Sequence, residues 1–386
     1  MALQVVESTD QLRALVERLS RERFITVDTE FMRERSYWPK LCLIQVAGER
    51  EAAIIDPLAK GMDLRAFFDL LANEKVLKVF HAGRQDIEIF HHLTGQVPNP
   101  VFDTQIAAMV CGFGDQVSYQ SLAAKLAGAR IDKGSRFTDW SRRPLSERQL
   151  EYALADVTHL RRIYERLAEE LAKNGREEWL REELATLVNP ETYVQEAKAA
   201  WKRIKFRPRE RRQLALLQRL AEWREREAQR RDLPRRRVLK DEAIVEIASE
   251  MPRHVDDLKR LRGLSDGAAK GAQGREILAI VQEVLALPEE ALPTPAKRGK
   301  PHPEGTGARA DILKLALKIV AEREGIAARL IATAADLERI AAGEKNVPAL
   351  SGWRRKVFGH LAEDLLAGRK VIGIRDGRPD ILAAQP

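Results

Sequence analysis

Several residue types and patterns are scarce or absent in this chain of 386 residues. Cys42 and Cys111 are its two cysteines, which excludes a disulfide framework and a cysteine-ligated zinc site. Aromatic residues make up 6% of the chain, and no apolar run approaches the roughly 18 residues that cross a bilayer. The first residues lack a basic segment followed by an apolar one, which argues against a secretory signal. We therefore expect a cytoplasmic protein that does not enter the membrane.

A glycine-rich phosphate loop is also missing. The glycine-rich stretch from Gly263 to Gly274 follows no predicted strand and lacks the G-x-x-x-x-G-K-[ST] pattern. This stretch is typical of turns between helices, so a dinucleotide-binding enzyme is a poor alternative.

Positive charge is concentrated in the second half of the chain. The first 200 residues carry a net charge of −4 and the rest carry +12, which together give the overall +8. Residues 201–240 alone hold 16 basic and 5 acidic residues. This excess favours a polyanionic partner, although solvated arginines on long helices are an alternative.

The pattern of apolar residues predicts an α/β domain followed by helical domains. Short β-type runs alternate with a helical run over the first 90 residues, and a tight polar connection between LCLIQVA and AAIID predicts a hairpin in a mixed sheet. Helical patterns follow, with a long helix between Ser146 and Gly175. We predict an α/β domain over 1–200, a helical domain over 208–288, a Pro/Gly-rich linker over 289–310, a second helical domain over 311–370 and a frayed tail over 371–386.

Two acidic residues stand at the end of the predicted strand FITVDTEF. Asp28 and Glu30 are two apart, so both side chains lie on one face of the strand. Their mutual repulsion would be relieved by a hard divalent cation, for which carboxylate oxygens are the preferred ligands. The alternative is a solvated strand end.

Further polar residues occupy two predicted helices. Tyr152 and Asp156 are four apart and share one helix face, although a core tyrosine beside an exposed aspartate would give the same spacing. Asp86 falls in the first turn of a helix after Gly83, where a capping role is the alternative.

These three segments, in this order, resemble the DEDD exonuclease superfamily and, within it, the bacterial ribonuclease D family. The resemblance covers most of residues 20–165, through VDTEFMRERSYWPKLCLIQVA, VFHAGRQDIEIF with VFDTQIAA, and DWSRRPLSERQLEYALADVTHL. It implies a ribonuclease H-like fold and removal of nucleotides from the 3′ end of RNA. Glu151 stands where the histidine branch has its histidine, so the resemblance is to the tyrosine branch. His81 and Gln85 stand near the place where many members have an asparagine.

The resemblance implies a catalytic set of five residues. Asp28, Glu30, Asp86 and Asp156 would bind two divalent ions, Mg²⁺ or Mn²⁺, and Tyr152 would orient the attacking water. Two ions roughly 3.5 to 4 Å apart can clamp the attacking and leaving oxygens of a phosphodiester. Asp28 is the candidate to contact both ions, with Glu30 and Asp156 on the water side and Asp86 on the other.

The resemblance continues into the basic half. Residues 208–288 are similar to the HRDC domain, and residues 311–370 to the second helical module of ribonuclease D. The implied substrates are structured RNAs such as tRNA precursors with 3′ extensions, and we expect a monomer. Arg235, Arg236 and Arg237 are candidate RNA contacts, with a solvated loop as the alternative. A DNA 3′-to-5′ exonuclease and a nucleic-acid-binding protein with a decayed nuclease fold are the rival functions.

Overall fold

The computed structural model of the chain describes residues 4–131, 134, 138–295 and 303–384. The chain forms two compact units. The first comprises Met1–Glu30, Cys42–Thr192 and Gly299–Pro386, and the second comprises Phe31–Leu41 and Tyr193–Arg298. Part of the predicted linker, residues 296–302, lies outside the described residues.

The N-terminal part of the chain alternates strands and helices up to about residue 110, a pattern that the sequence predicts over the first 90 residues. Its elements are β1 (Gln4–Val6), α1 (Thr9–Leu19), β2 (Phe24–Met32), β3 (Lys40–Ala47), β4 (Ala52–Ile55), α2 (Arg65–Ala72), β5 (Leu77–Phe80), α3 (Arg84–Thr94), β6 (Val101–Asp103) and α4 (Thr104–Val110). Helices α5 (Tyr119–Leu122), α6 (Glu147–Asn174) and α7 (Glu177–Leu187) follow, with a π-helical turn at Ala123–Ala127.

The six strands form one mixed sheet in the order β1-β4-β3-β2-β5-β6. Strand β4 pairs antiparallel with β3, as the hairpin prediction requires, and parallel with β1. Strand β5 pairs parallel with both β2 and β6. The prediction of a mixed sheet is therefore confirmed.

Helices cover both faces of this sheet because its strands are apolar on both sides. Thr26 pairs with Val79 and donates to the Val157 carbonyl of α6 at 2.8 Å, so this face lies against α6. Phe80, next along β5, points to the opposite face. There its ring lies 6.4 Å from that of Phe90 on α3. Strand β2 is thus held in a packed core at its start and carries Asp28 at its middle and Glu30 two residues further on.

The second unit is a helical domain with its own core. Its helices are α8 (Arg211–Arg231), α9 (Arg235–Val238), α10 (Asp241–Glu250), α11 (Val255–Arg260), α12 (Asp266–Lys270) and α13 (Ala272–Ala286), with 3₁₀ turns at Ala197–Arg203 and Glu289–Ala291. The segment 31–41 belongs to this unit, where buried Tyr37 packs against Ala228 and Val238. Sequence patterns predicted the helices of this domain but not the inclusion of that segment.

The C-terminal module belongs to the first unit and contains a hairpin that the sequence analysis missed. Its helices are α14 (Thr306–Glu324), α15 (Ala328–Ile331), α16 (Ala334–Ala341), α17 (Gly352–Arg354) and α18 (His360–Leu366), with a 3₁₀ turn at Pro348–Leu350 and a π-helical turn at Arg355–Gly359. The prediction of a frayed tail is wrong for the described residues. Strands β7 (Lys370–Arg375) and β8 (Arg378–Ala383) pair antiparallel there, and Ile372 and Ile381 pack on the module's core.

The module is attached to the N-terminal domain of the same unit by aromatic and basic side chains. The rings of Trp179 and Trp353 stack with centroids 4.7 Å apart. Arg176 donates to the carbonyls of Val110 and Glu324, at 3.0 and 2.6 Å. Within the described part of the chain, no helix is long and apolar enough to cross a membrane.

Candidate active site

Asp28 lies at the middle of β2 and Glu30 two residues further on, both on the face that α6 covers. Asp28 keeps part of its surface open to a cavity. Burial raises the pKa of the Asp28 carboxyl well above its ordinary value, and the negative charges of Asp86, Asp156 and Glu30 raise it further. The other three carboxylates predicted from the sequence are therefore close enough to Asp28 to act on it electrostatically.

Asp86 enters the site from the first turn of α3, and a threonine of β2 holds it in place. The Thr29 hydroxyl donates a short hydrogen bond to Asp86 Oδ1. Burial raises the pKa of Asp86 to about 6, and the bond from Thr29 opposes that rise because it favours the carboxylate form. Thr29, which lies between Asp28 and Glu30 on β2, thus orients Asp86. The sequence analysis did not single out Thr29.

The turn that begins α3 is fixed by Asp103, a buried residue that the sequence analysis also missed. Its carboxylate accepts hydrogen bonds from the backbone N–H groups of Ala82 and Gly83, at 3.2 and 2.8 Å. It accepts two more from the first turn of α4. Ala82 has φ +55°, and a Cβ at Gly83 would lie 2.5 Å from Cβ of Phe80. This constrained turn sets the direction in which Asp86 enters the site.

Helix α6 carries the remaining predicted residues. Ser146 and Gln149 form a capping box at its start, and Gly175 ends it in the left-handed conformation, as predicted. The Tyr152 hydroxyl hydrogen-bonds to Asp156 one turn further on. Burial, followed by the charges of Asp156, Glu30 and Asp28, raises the pKa of Tyr152. Tyr152 is therefore a neutral hydrogen-bonding group at physiological pH.

A cavity of about 380 Å³ opens beside these residues. Its lining includes Asp28, Tyr152 and Asp156 together with polar side chains from the loops before α3 and around α5. The other lining residues are His81, Ala82, Gln105, Gln116, Ser118, Tyr119, Gln120, Ile131 and Leu160. Glu30 and Asp86 are not part of the lining. His81 Nδ1 lies 3.0 Å from the Thr104 hydroxyl, and the Tyr119 hydroxyl donates to the Ala155 carbonyl at 2.8 Å.

The donor set fits divalent cations by its chemistry. Oxygen ligands from four carboxylates suit Mg²⁺ or Mn²⁺, and none of the main influences on the Asp28 pKa is a basic side chain. Among the described residues, no three acidic, histidine or cysteine side chains are already drawn together at metal-ligand geometry. Carboxylates that repel one another are expected to stay apart until a cation brings them together.

The three arginines predicted to contact RNA lie in the second unit and differ in their surroundings. Arg235 donates to both oxygens of buried Glu225, at 2.6 and 2.7 Å, and its guanidinium lies 4.6 Å from the Tyr37 ring centroid. Arg236 is exposed and lies 3.5 Å from Glu242, and Arg237 is exposed. Arg235 is thus bound to buried Glu225 and Tyr37 within its own unit, whereas Arg236 and Arg237 are exposed.

Comparisons with known proteins agree with this architecture. A 3′-5′ exonuclease family matches residues 3–172 and the HRDC domain family matches residues 213–281. The chain is similar to the ribonuclease D of Gluconacetobacter diazotrophicus, with 49% identity over 96% of this chain and 94% of that protein. It is similar to the ribonuclease D of Bartonella henselae, with 46% identity over 97% and 93%.

A solved structure extends the likeness to the whole fold. Escherichia coli RNase D, described as an exoribonuclease involved in structured RNA processing, superimposes with a TM-score of 0.84 and 32% identity, over 95% of this chain and 99% of that one. The fold is therefore that of a ribonuclease H-like 3′-5′ exonuclease with an HRDC region, a class that depends on divalent metal ions. This chain belongs to the ribonuclease D family. It is accordingly a hydrolytic 3′-to-5′ exoribonuclease, which confirms the main functional prediction.

Proposed function

We propose that Asp28, Glu30, Asp86 and Asp156 would hold two divalent ions, Mg²⁺ or Mn²⁺, and that the enzyme hydrolyses the 3′-terminal phosphodiester of RNA and releases 5′-mononucleotides. The observation that carries this proposal is that Asp28, which lines the cavity with Tyr152 and Asp156, lies within electrostatic reach of Asp86, Asp156 and Glu30. Such ions lower the pKa of an attacking water and neutralise charge on the departing 3′ oxygen.

The protein's own side chains supply position and orientation. Thr29 and the turn bound by Asp103 fix Asp86. Tyr152, kept neutral by the raised pKa of its hydroxyl, orients the attacking water through a hydrogen bond and does not remove its proton. The cavity beside Asp28 and Tyr152 would receive the 3′-terminal nucleotide.

The substrate that we propose is a structured RNA with a single-stranded 3′ end, such as a tRNA precursor with a 3′ extension. The basic second half of the chain supports an RNA partner. We further propose that the chain has three domains near the predicted boundaries, 1–200, 208–288 and 311–370, with the last one extended through the β7–β8 hairpin. We also propose that the enzyme acts as a monomer in the cytoplasm.

A tRNA precursor labelled at its 5′ end should lose its 3′ extension one nucleotide at a time. The reason is that only a free 3′ end can place its last phosphodiester beside the carboxylates. Denaturing electrophoresis of timed samples would show a ladder that ends near the base-paired stem. A circularised copy of the same transcript is the control and should stay intact. Cleavage of the circle, or an intact extension on the linear RNA, would contradict this proposal.

Exposed Arg236 and Arg237 should contribute to RNA affinity through phosphate contacts. The double variant Arg236→Ala/Arg237→Ala is expected to reduce the slope of log affinity against log salt by about 1.4, because each contact to single-stranded RNA contributes about 0.7. Fluorescence anisotropy across a salt series measures this slope. Arg219→Ala is the matched control, since that exposed side chain pairs with Glu283 at 2.8 Å, closer than the 3.5 Å between Arg236 and Glu242. An unchanged slope in the double variant would remove both arginines from the interface.

A further inference from the structure

A buried glutamine in the catalytic sheet has no explanation in the packing of the core. Gln45, on β3, has none of its surface exposed. Neither its amide oxygen nor its amide nitrogen has a hydrogen-bond partner among the described residues. An unpaired buried amide costs on the order of 1 to 3 kcal/mol, and an apolar side chain of similar shape would avoid that cost. Such a group indicates a hydrogen bond that forms in another state of the site, because native proteins rarely leave a buried amide unpaired.

The face on which Gln45 lies follows from its neighbours. Two residues along β3, Ala47 belongs to a small apolar cluster with Ala52 and with Val157 of α6. Gln45 pairs with Ile54 in the same antiparallel ladder that pairs Ala47 with Ala52. Because side chains two residues apart share a face, Gln45 faces α6.

Asp28 lies on that same face of the adjacent strand. Strands β2 and β3 are neighbours in the sheet, and the connection at residues 33–39 is too short for a parallel crossover, so they are antiparallel. The Thr26 hydroxyl lies 3.4 Å from the Ala47 carbonyl oxygen. Two residues further along β2 from Thr26 is Asp28. The same distance along β3 from Ala47, in the same spatial direction, is Gln45.

The amide is therefore within reach of the carboxylate. Residues on one face of adjacent antiparallel strands are either direct neighbours, about 4.5 to 5.5 Å apart, or diagonal ones, about 7 to 8 Å apart, and long side chains can bridge both separations. No hydrogen bond from Gln45 is among the influences on Asp28 in this structure. The unpaired amide and the carboxylate thus lie side by side on the covered face of the sheet.

We propose that Gln45 is a positioning residue for the metal site: its amide N–H donates to the Asp28 carboxylate, directly or through one water, when that carboxylate binds a divalent cation. This inference rests on the metal assignment made under the proposed function. A ligand carboxylate is commonly held by an outer hydrogen-bond donor, and loss of such a donor typically weakens metal binding by about 10- to 100-fold.

The variant Gln45→Met separates this role from a structural one. Methionine has a similar length, is apolar and fits a β-sheet core. We expect Mn²⁺, titrated into chelator-treated protein in a calorimeter, to bind roughly 10- to 100-fold more weakly to this variant than to wild type. The thermal midpoint of the metal-free variant should equal or exceed that of wild type, because the unpaired amide is gone.

Ile44→Met is the matched control, since Ile44 is equally buried on the same strand but faces the other side of the sheet. Its Mn²⁺ affinity should match that of wild type. If Gln45→Met binds Mn²⁺ as tightly as wild type, the inference is overturned while the metal assignment stands. If Gln45→Met and Ile44→Met weaken binding equally, the effect is one of packing and the inference is also overturned. If wild type itself binds no Mn²⁺, the metal assignment fails and the inference with it.

Discussion

Asp28→Asn is expected to lower the rate of nucleotide removal from RNA by roughly 10³-fold or more, a loss of about 4 kcal/mol of transition-state stabilisation. Asp28 lies among the other three carboxylates, so its loss should disturb the site more than any other single change. Asparagine keeps the size of the side chain and removes its charge, which weakens binding of a hard cation. The measurement is the single-turnover rate at saturating RNA.

The control is a variant that removes the charge of a carboxylate elsewhere in the protein. Asp10→Asn, at an exposed position in the first turn of α1, makes the same chemical change far from the cavity. It should leave the rate within about twofold of wild type, because changes at exposed sites away from such features have small effects. If Asp28→Asn kept one tenth of the wild-type rate or more, Asp28 would not be the central metal ligand.

Tyr152→Phe is expected to lower the maximal rate by roughly 10²-fold while the RNA affinity changes little. The variant keeps the ring beside Trp140, whose centroid lies 6.1 Å away, and removes only the hydroxyl that bonds Asp156. Because the pKa of Tyr152 is raised, the hydroxyl stays protonated from pH 7 to 9. The fold-loss caused by the substitution should therefore be constant over that range. Single-turnover rates at several pH values measure it.

Tyr164→Phe provides the control on the same helix. The Tyr164 ring packs against Phe24 and Phe102, at centroid distances of 4.4 and 4.9 Å, and does not line the cavity. This variant should turn over RNA at nearly the wild-type rate. A loss at Tyr152 that changes steeply with pH would indicate a proton-transfer role and contradict the orienting one.

The main parts of the candidate site follow from the sequence because each depends on local periodicity. The two-residue spacing of Asp28 and Glu30 fixes a shared strand face, and the four-residue spacing of Tyr152 and Asp156 fixes a shared helix face. The order of these segments then indicates the exonuclease family. By contrast, the support given by Thr29 and Asp103 depends on contacts between distant segments, so no local pattern reveals it.

Two kinds of element escaped the sequence analysis for different reasons. Strands β1 and β6 have three residues each, too few to show an alternating pattern. The β7–β8 hairpin had a readable signal, the dipeptide Asp376-Gly377 between apolar alternating residues, and both residues have positive φ. The prediction of purely helical domains in the second half of the chain leaves this signal out.

The three consecutive arginines Arg235, Arg236 and Arg237 have different surroundings, which the sequence does not reveal. Three consecutive arginines give one signal in the sequence, yet only the structure shows that Glu225 is buried in α8 and pairs with Arg235. A lone buried glutamate in an amphipathic helix has no distinctive spacing, so its partner is found only through the packing of Tyr37 and α8. Arg235 is accordingly expected to support the second unit, while Arg236 and Arg237 remain candidates for RNA contact.

The most direct test is the digestion of one oligonucleotide sequence, labelled at its 5′ end, as RNA and as DNA, with Mg²⁺, Mn²⁺ or a chelator. Wild-type enzyme and Asp28→Asn would be compared at equal concentration. The predicted result is a one-nucleotide ladder from the 3′ end of the RNA, lost with chelator and with Asp28→Asn, and much slower removal from DNA. Equal rates on both sugars would identify a general exonuclease. A ladder that persists with chelator or with Asp28→Asn would contradict the carboxylate metal site itself.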